Sequence, residues 1–211
     1  MCRGIAAALF GSQPTTATTT TTNDTSTEYL VLVELTNATQ GFLALTNDEI
    51  DVFAGAPYNL QNDVKEPTTG VGYAFSPIYY YDQQQQKQQQ QQQEEEDGVD
   101  GSEVRELLAL ATREEDDDPQ WIDFVRWIVF AIIYAEEEGI TSTTATSMPI
   151  IELYGSLNKQ AFRDLILAVG NYGDIYQRNL EDIIPRAGRN LLSNTTTKTP
   201  QYFPFPLEFF Y

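Results

Sequence analysis

Residues 28–55 read EYLVLVELTNATQGFLALTNDEIDVFAG, and the pattern of apolar residues changes twice along them. Tyr29–Leu35 is rich in branched and aromatic residues, the composition of a strand. Over Asn37–Glu49, Phe42, Leu43 and Leu45 make the apolar face of a predicted helix. Ile50–Gly55 returns to a short strand that ends at a glycine. Upstream, Cys2–Phe10 predicts a short helix that Gly11 can stop. Helix, strand, helix and strand in alternation predict an α/β fold with a mostly parallel sheet flanked by helices.

Downstream, Tyr73–Tyr81 reads as a strand bent at Pro77. The preceding GVGYAF has two of the three glycines of a dinucleotide fingerprint but leads into a strand pattern, so no nucleotide site is read there. After Asp82 the chain becomes a glutamine tract and then the acid run Glu94–Glu96. Val104–Glu114 fits either a strand or one short helix. Asp118 as cap and Pro119 at the first position start a helix. Its face is Trp121, Phe124, Val125, Ile128, Ile132 and Ala135, and Gly139 closes it. Residues 158–183 predict a second helix, bent or broken near Gly170–Gly173. The threonine-rich residues 12–27 and the aromatic, proline-containing residues 196–211 predict no regular structure.

Composition removes several classes of function. The net charge of −19 opposes nucleic acid, which needs a basic surface to neutralise phosphate. It opposes an anionic membrane surface for the same reason. The chain has no histidine, which excludes Ser–His and Cys–His catalysis and ordinary zinc sites. Cys2, the single cysteine, has no partner for an internal disulfide. Trp127–Ala135 is an apolar run of nine residues where a span needs roughly 20, so a buried helix is expected and not an integral membrane protein.

Several stretches resemble the solute-binding proteins of amino-acid ABC transporters, the type II periplasmic-binding fold. They are CRGIAAALFG (2–11), residues 28–55 with their join NDEIDV (47–52), FSPIYYY (75–81), residues 108–141, and AVGNYGDIYQRNL (168–180). The last is close to the C-terminal helix of the general L-amino-acid-binding branch. The resemblance implies an incomplete first lobe of that fold, with low-complexity insertions. Residues 1–82 are its first part and residues 103–195 its return strand and C-terminal helices. Residues 83–102 form a Gln/acid-rich linker in place of the second lobe, and residues 196–211 a tail. The family's first strand also has no counterpart, as expected of a truncated or mis-spliced reading frame.

In that family two lobes close on an amino acid, and an arginine grips its carboxylate. The matching stretch here is Pro57–Asp63, in which Asn62 stands where the arginine would be. The resemblance therefore implies a partial or degenerate binder whose ligand residues are Ala56, Tyr58, Asn59 and Asn62. It implies an amino acid or other small polar solute, and a transporter or other protein, as partners. It implies an extracytoplasmic or secreted location and no cofactor. Two further readings are a non-catalytic interaction protein using the Gln/acid tract and aromatic tail, and a dehydratase-like enzyme on the same fold. The enzyme is disfavoured because the loop lacks both histidine and arginine.

Overall fold

In the computed structural model, residues 1–11, 18–19, 30–64, 70–83, 104–114, 119–150, 158–186 and 190–191 are described. In chain order the first half holds α1 (Cys2–Phe10), β1 (Thr18–Thr19), β2 (Val31–Leu32), α2 (Ala38–Thr46), β3 (Phe53–Pro57), α3 (Leu60–Asp63), β4 (Tyr73–Phe75) and β5 (Tyr80–Gln83). The second half holds β6 (Val104–Arg113), α4 (Pro119–Glu137), a 3-10 turn at Ser142–Ser147, α5 (Ala161–Val169) and α6 (Tyr172–Asn179).

The ambiguous run after the glutamine tract is a strand, and the main sheet is built on it. β3 pairs with one edge of β6, Phe53 opposite Ala111 and Pro57 opposite Leu108. β4 and β5 pair with its other edge, one after the other, Phe75 opposite Ala111 and Tyr80 opposite Leu108. All three pairings are antiparallel. This corrects the expectation of a mostly parallel sheet. β3, β4 and β5 do run in one direction, as α/β alternation requires. β6 lies among them and runs the other way, so each neighbour pair in this sheet is antiparallel. The parallel pair among the described residues is β1 with β2.

β6 is buried on both faces. Leu110 enters one core with Ile128, Ile132, Phe162, Leu165 and Ile166, contributed by α4 and α5. Ala109 and Ala111 enter the other with Leu45, Phe53 and Phe75, beneath α2. Such burial explains why the run reads as nearly continuous apolar residues and not as an alternation. Each large aliphatic buried in this way contributes about 1.5–3 kcal/mol.

Several boundaries follow from single residues. Asn37 caps α2 by accepting the Gln40 N–H at 2.9 Å. Gly139 ends α4 at φ 66° and Gly170 parts α5 from α6 at φ 75°, both near the predicted breaks. α6 then starts on a reciprocal cap: Asn171 accepts the Asp174 N–H at 2.9 Å, and Asp174 accepts the Asn171 N–H at 3.1 Å. The cap expected at Asp118 lies outside the described residues, as do most of the threonine run, the linker beyond Gln83 and the tail beyond Leu191.

Of the strand predicted at Tyr29–Leu35, the described residues 30–35 form Val31–Leu32, which pairs with β1 and not with β3. An extended run persists as a strand only where a neighbour takes its main-chain bonds. Val31 and Val33 are half exposed as a result.

The bend at Pro77 is held by Ser76. Its N–H donates to Leu110 O at 2.9 Å, and its hydroxyl accepts the Leu110 N–H at 2.9 Å while donating to Pro77 O at 2.8 Å. Tyr79 resumes the ladder by donating its N–H to Leu108 O at 3.0 Å. Its hydroxyl lies near the Gly55 backbone across the sheet, and burial pushes the phenol up to about 12.

Two predictions arise from this packing. A Cβ on Gly41 would lie 2.5 Å from the Phe53 ring, which Phe42 already meets edge-on at 5.4 Å between centroids. Gly41→Ala should lower stability in urea unfolding by about 1–2 kcal/mol, overpacking outweighing the gain in helix propensity, and Phe53→Leu should restore part of it. Tyr79 keeps its proton in the fold up to about 12, whereas an unfolded tyrosine loses it near pH ~10. Its contribution is therefore complete below pH ~10 and is lost as pH rises toward 12. In unfolding measured from about pH 9 to pH 12, Tyr79→Phe should lose about 2–3 kcal/mol less than the parent protein. A decline due to Tyr172 and Tyr176, also raised by burial, should persist.

Candidate functional site

The four residues singled out from the sequence lie together where β3 leaves the sheet. Gly55 adopts φ 86°, and the register of β3 against β6 shifts between Ala54 and Ala56. A glycine tolerates that backbone where a side chain would strain it. The bulge turns Ala56 wholly into the core beneath α2. Tyr58 donates its N–H to Leu107 O at 2.7 Å, and its half-buried ring meets Phe75 at 5.2 Å in a T-shaped pair. The loop is thereby fastened to β6 before it reaches its polar residues.

Asn59 and Asn62 are joined to each other. Asn59 caps α3, its side-chain oxygen accepting the Asn62 N–H at 3.0 Å. Asn62 Nδ2 donates to Pro57 O at 2.9 Å. These bonds shape the turn and hold both amides against the loop. No lysine or arginine occurs between Gly4 and Val64, so this stretch brings no cation of its own to the loop. The site offers neutral hydrogen bonds and an aromatic edge. It does not offer a charged fork for a carboxylate, and a charged fork is worth about 1.5–3 kcal/mol per bond.

A second concavity, a groove of ≈ 800 Å³, lies at the other end of β3. Ile5 and Leu9 of α1, Val31 and Val33 around β2, and Val52 and Phe53 line its apolar part. Asp48 and Arg113 also line it and pair at 3.2 Å. None of Ala56, Tyr58, Asn59 and Asn62 lines this groove. It was not legible in the sequence, because it depends on the distance between β2 and β3. Tyr79 was missed for a similar reason: its contact with Gly55 spans the sheet, and no local spacing encodes it. Among the described residues no cluster of three or more His, Cys, Asp or Glu is placed to hold a metal ion. No helix among them is long and apolar enough to cross a membrane.

No family model matches the chain. Three curated proteins are similar to parts of it. The general L-amino acid-binding periplasmic protein AapJ of Rhizobium johnstonii is 37% identical over 93 residues, covering 36% of this chain and 27% of that protein. The glutamate/glutamine/aspartate/asparagine-binding protein BztA of Rhodobacter capsulatus is 34% identical over 79 residues, 30% of this chain and 23% of its own. The putative amino-acid ABC transporter-binding protein YhdW of Escherichia coli is 31% identical over 109 residues, 43% of this chain and 31% of its own. The chain thus spans about a quarter to a third of the length of the curated relatives it matches. Among solved structures, an ABC transporter periplasmic binding protein from Brucella ovis with glutathione bound superposes with a TM-score of 0.61 at 20% identity. That superposition covers 90% of this chain and 83% of that one. The fold is that of a periplasmic binding protein, incomplete as a lobe, and in sequence the chain resembles the amino-acid-binding components of ABC transporters.

Proposed function

We propose that the chain is a partial solute-binding protein of the amino-acid type, with Tyr58, Asn59 and Asn62 as the contact surface for a small polar solute; Ala56, expected among them from the sequence, is wholly buried and serves as the support beneath them. The observation that carries this reading is the pairing of β5 with β6. The chain leaves the sheet at Gln83 and re-enters it at Val104, directly opposite. A binding protein that closes one lobe on another needs crossing strands of this kind. The likeness of part of the chain to amino-acid-binding proteins supports the same assignment.

Affinity on this reading is weak. Asn62 supplies an uncharged amide that is already bonded to Pro57 O. Each bond to the solute competes with water at the exposed Asn59. The role is binding and not catalysis, a reading supported by the relatives' names, which describe binding proteins.

Titrating the labelled protein with L-glutamate, L-alanine and L-lysine should move the amide signals of Tyr58, Asn59 and Asn62, with dissociation constants of roughly a millimolar. Calorimetry with the common amino acids should show nothing tighter than about a micromolar. Asn62→Arg should tighten L-glutamate binding by roughly tenfold, by adding a charge-assisted pair. Silence of these amides at saturating solute would refute the assigned surface, and sub-micromolar binding would refute the claim of weakness.

A further inference from the structure

β5 takes part of its main-chain bonding from a side chain. The Tyr81 N–H donates to Asn190 Oδ1 at 2.8 Å, and Asn190 Nδ2 donates to Tyr81 O at 2.7 Å. A single buried amide thus makes the pair of bonds that another strand would make, and it covers this edge of β5. Asn190 is itself held by Arg186, whose Nε donates to Asn190 O at 2.8 Å.

Arg186 carries that hold to the helical layer. Its Nη1 and Nη2 donate to the two carboxylate oxygens of Glu136 on α4, at 2.6 and 3.1 Å. The guanidinium lies 4.8 Å from the ring centre of Tyr172 and 5.6 Å from that of Tyr176, both on α6. Tyr172 in turn donates its hydroxyl to Tyr79 O at 2.7 Å. The crossing strand is therefore tied to α4 and α6 at Tyr79 and again at Tyr81.

The apolar side chains beside these ties contribute little. Ile183 is 79% exposed, Ile184 41% and Leu191 50%. Polar bonds and one ion pair hold this part of the chain in place, and such regions open before a packed core does. The core beneath, with Leu165 and Ile166 almost wholly buried, is an apolar cluster that also takes in the rings of Tyr80 and Tyr81.

We propose that Arg186 and Asn190 form a latch on the crossing strand. Closed, it covers the edge of β5 and sets the direction in which the chain leaves the sheet. Open, it frees the outer edge of β5 at Tyr81, while Tyr80 and Tyr81 keep their rings in the core and α4 and α5 stay packed on β6. The proposal stands apart from any solute at the loop and would survive its absence.

Native-state hydrogen exchange on the full chain tests it, because the Tyr81 amide reports the latch directly. In the parent protein at low denaturant, Tyr81 should exchange through a smaller opening than Leu165 and Ile166. Arg186→Gln and Asn190→Ala should each speed Tyr81 exchange by roughly tenfold or more and change Leu165 and Ile166 by less than about twofold. Exchange of all three amides by the same opening in the parent protein overturns the proposal, and this measurement needs no variant to fold. An unchanged Tyr81 in Arg186→Gln, or an equal rise at all three amides in either variant, overturns it as well.

Discussion

Everything in the main sheet rests on one strand that is buried on both faces. β6 receives β3 on one edge and β4 and β5 on the other, and it separates the core under α2 from the core under α4 and α5. The small residues Ala109 and Ala111 let α2 approach on one side, and Leu110 fills the space between helices on the other. A polar residue in the middle of that run would lose its water without gaining a partner. Among the described side chains of β6, the buried polar one is Thr112, which lies near the end and directs its hydroxyl toward Ala74 O. The strand also closes a connection: it pairs with β5 across the residues that join them, so departure and return of the chain are fixed at one place.

The character of the candidate loop follows from that arrangement. Tyr58 is fastened to Leu107 and Phe75, so the loop stands on the sheet and does not float above it. What the described loop then presents is the exposed carboxylate of Asp63 and two asparagines that complete its own turns. The similarity to amino-acid-binding proteins covers a limited part of their length, and the shared fold by itself decides nothing about a ligand. Function on this fold depends on the side chains of the site, and at the end of β3 this chain places the amides of Asn59 and Asn62.

The acidic balance of the chain bears on the same point. With 31 acidic and 12 basic residues, cations are scarce and their use is informative. Arg113 pairs with Asp48 across from α2, and Arg186 with Glu136 behind the crossing strand. Arg163 donates to Met148 O at 2.6 Å and Arg178 to Val169 O at 3.0 Å, both steadying chain ends around α5. These arginines work on the fold's own joints.

Local pattern determined a good deal here. The helical spacing from Trp121 to Ala135, the breaks at Gly139 and Gly170, and the helix of Cys2–Phe10 were legible, because each depends on residues within a few positions of one another. Tertiary structure decided the direction of strand pairing, the shortening of Tyr29–Leu35, and whether residues 104–113 were helix or strand. It also decided the groove beside β3 and the bonds from Asn190 to Tyr81, which join residues 109 positions apart. A strand needs a partner to complete its hydrogen bonds, and that partner can come from anywhere in the chain. Spacing along the sequence records which face a residue will bury, and the neighbour it will meet is settled only when the sheet closes around β6.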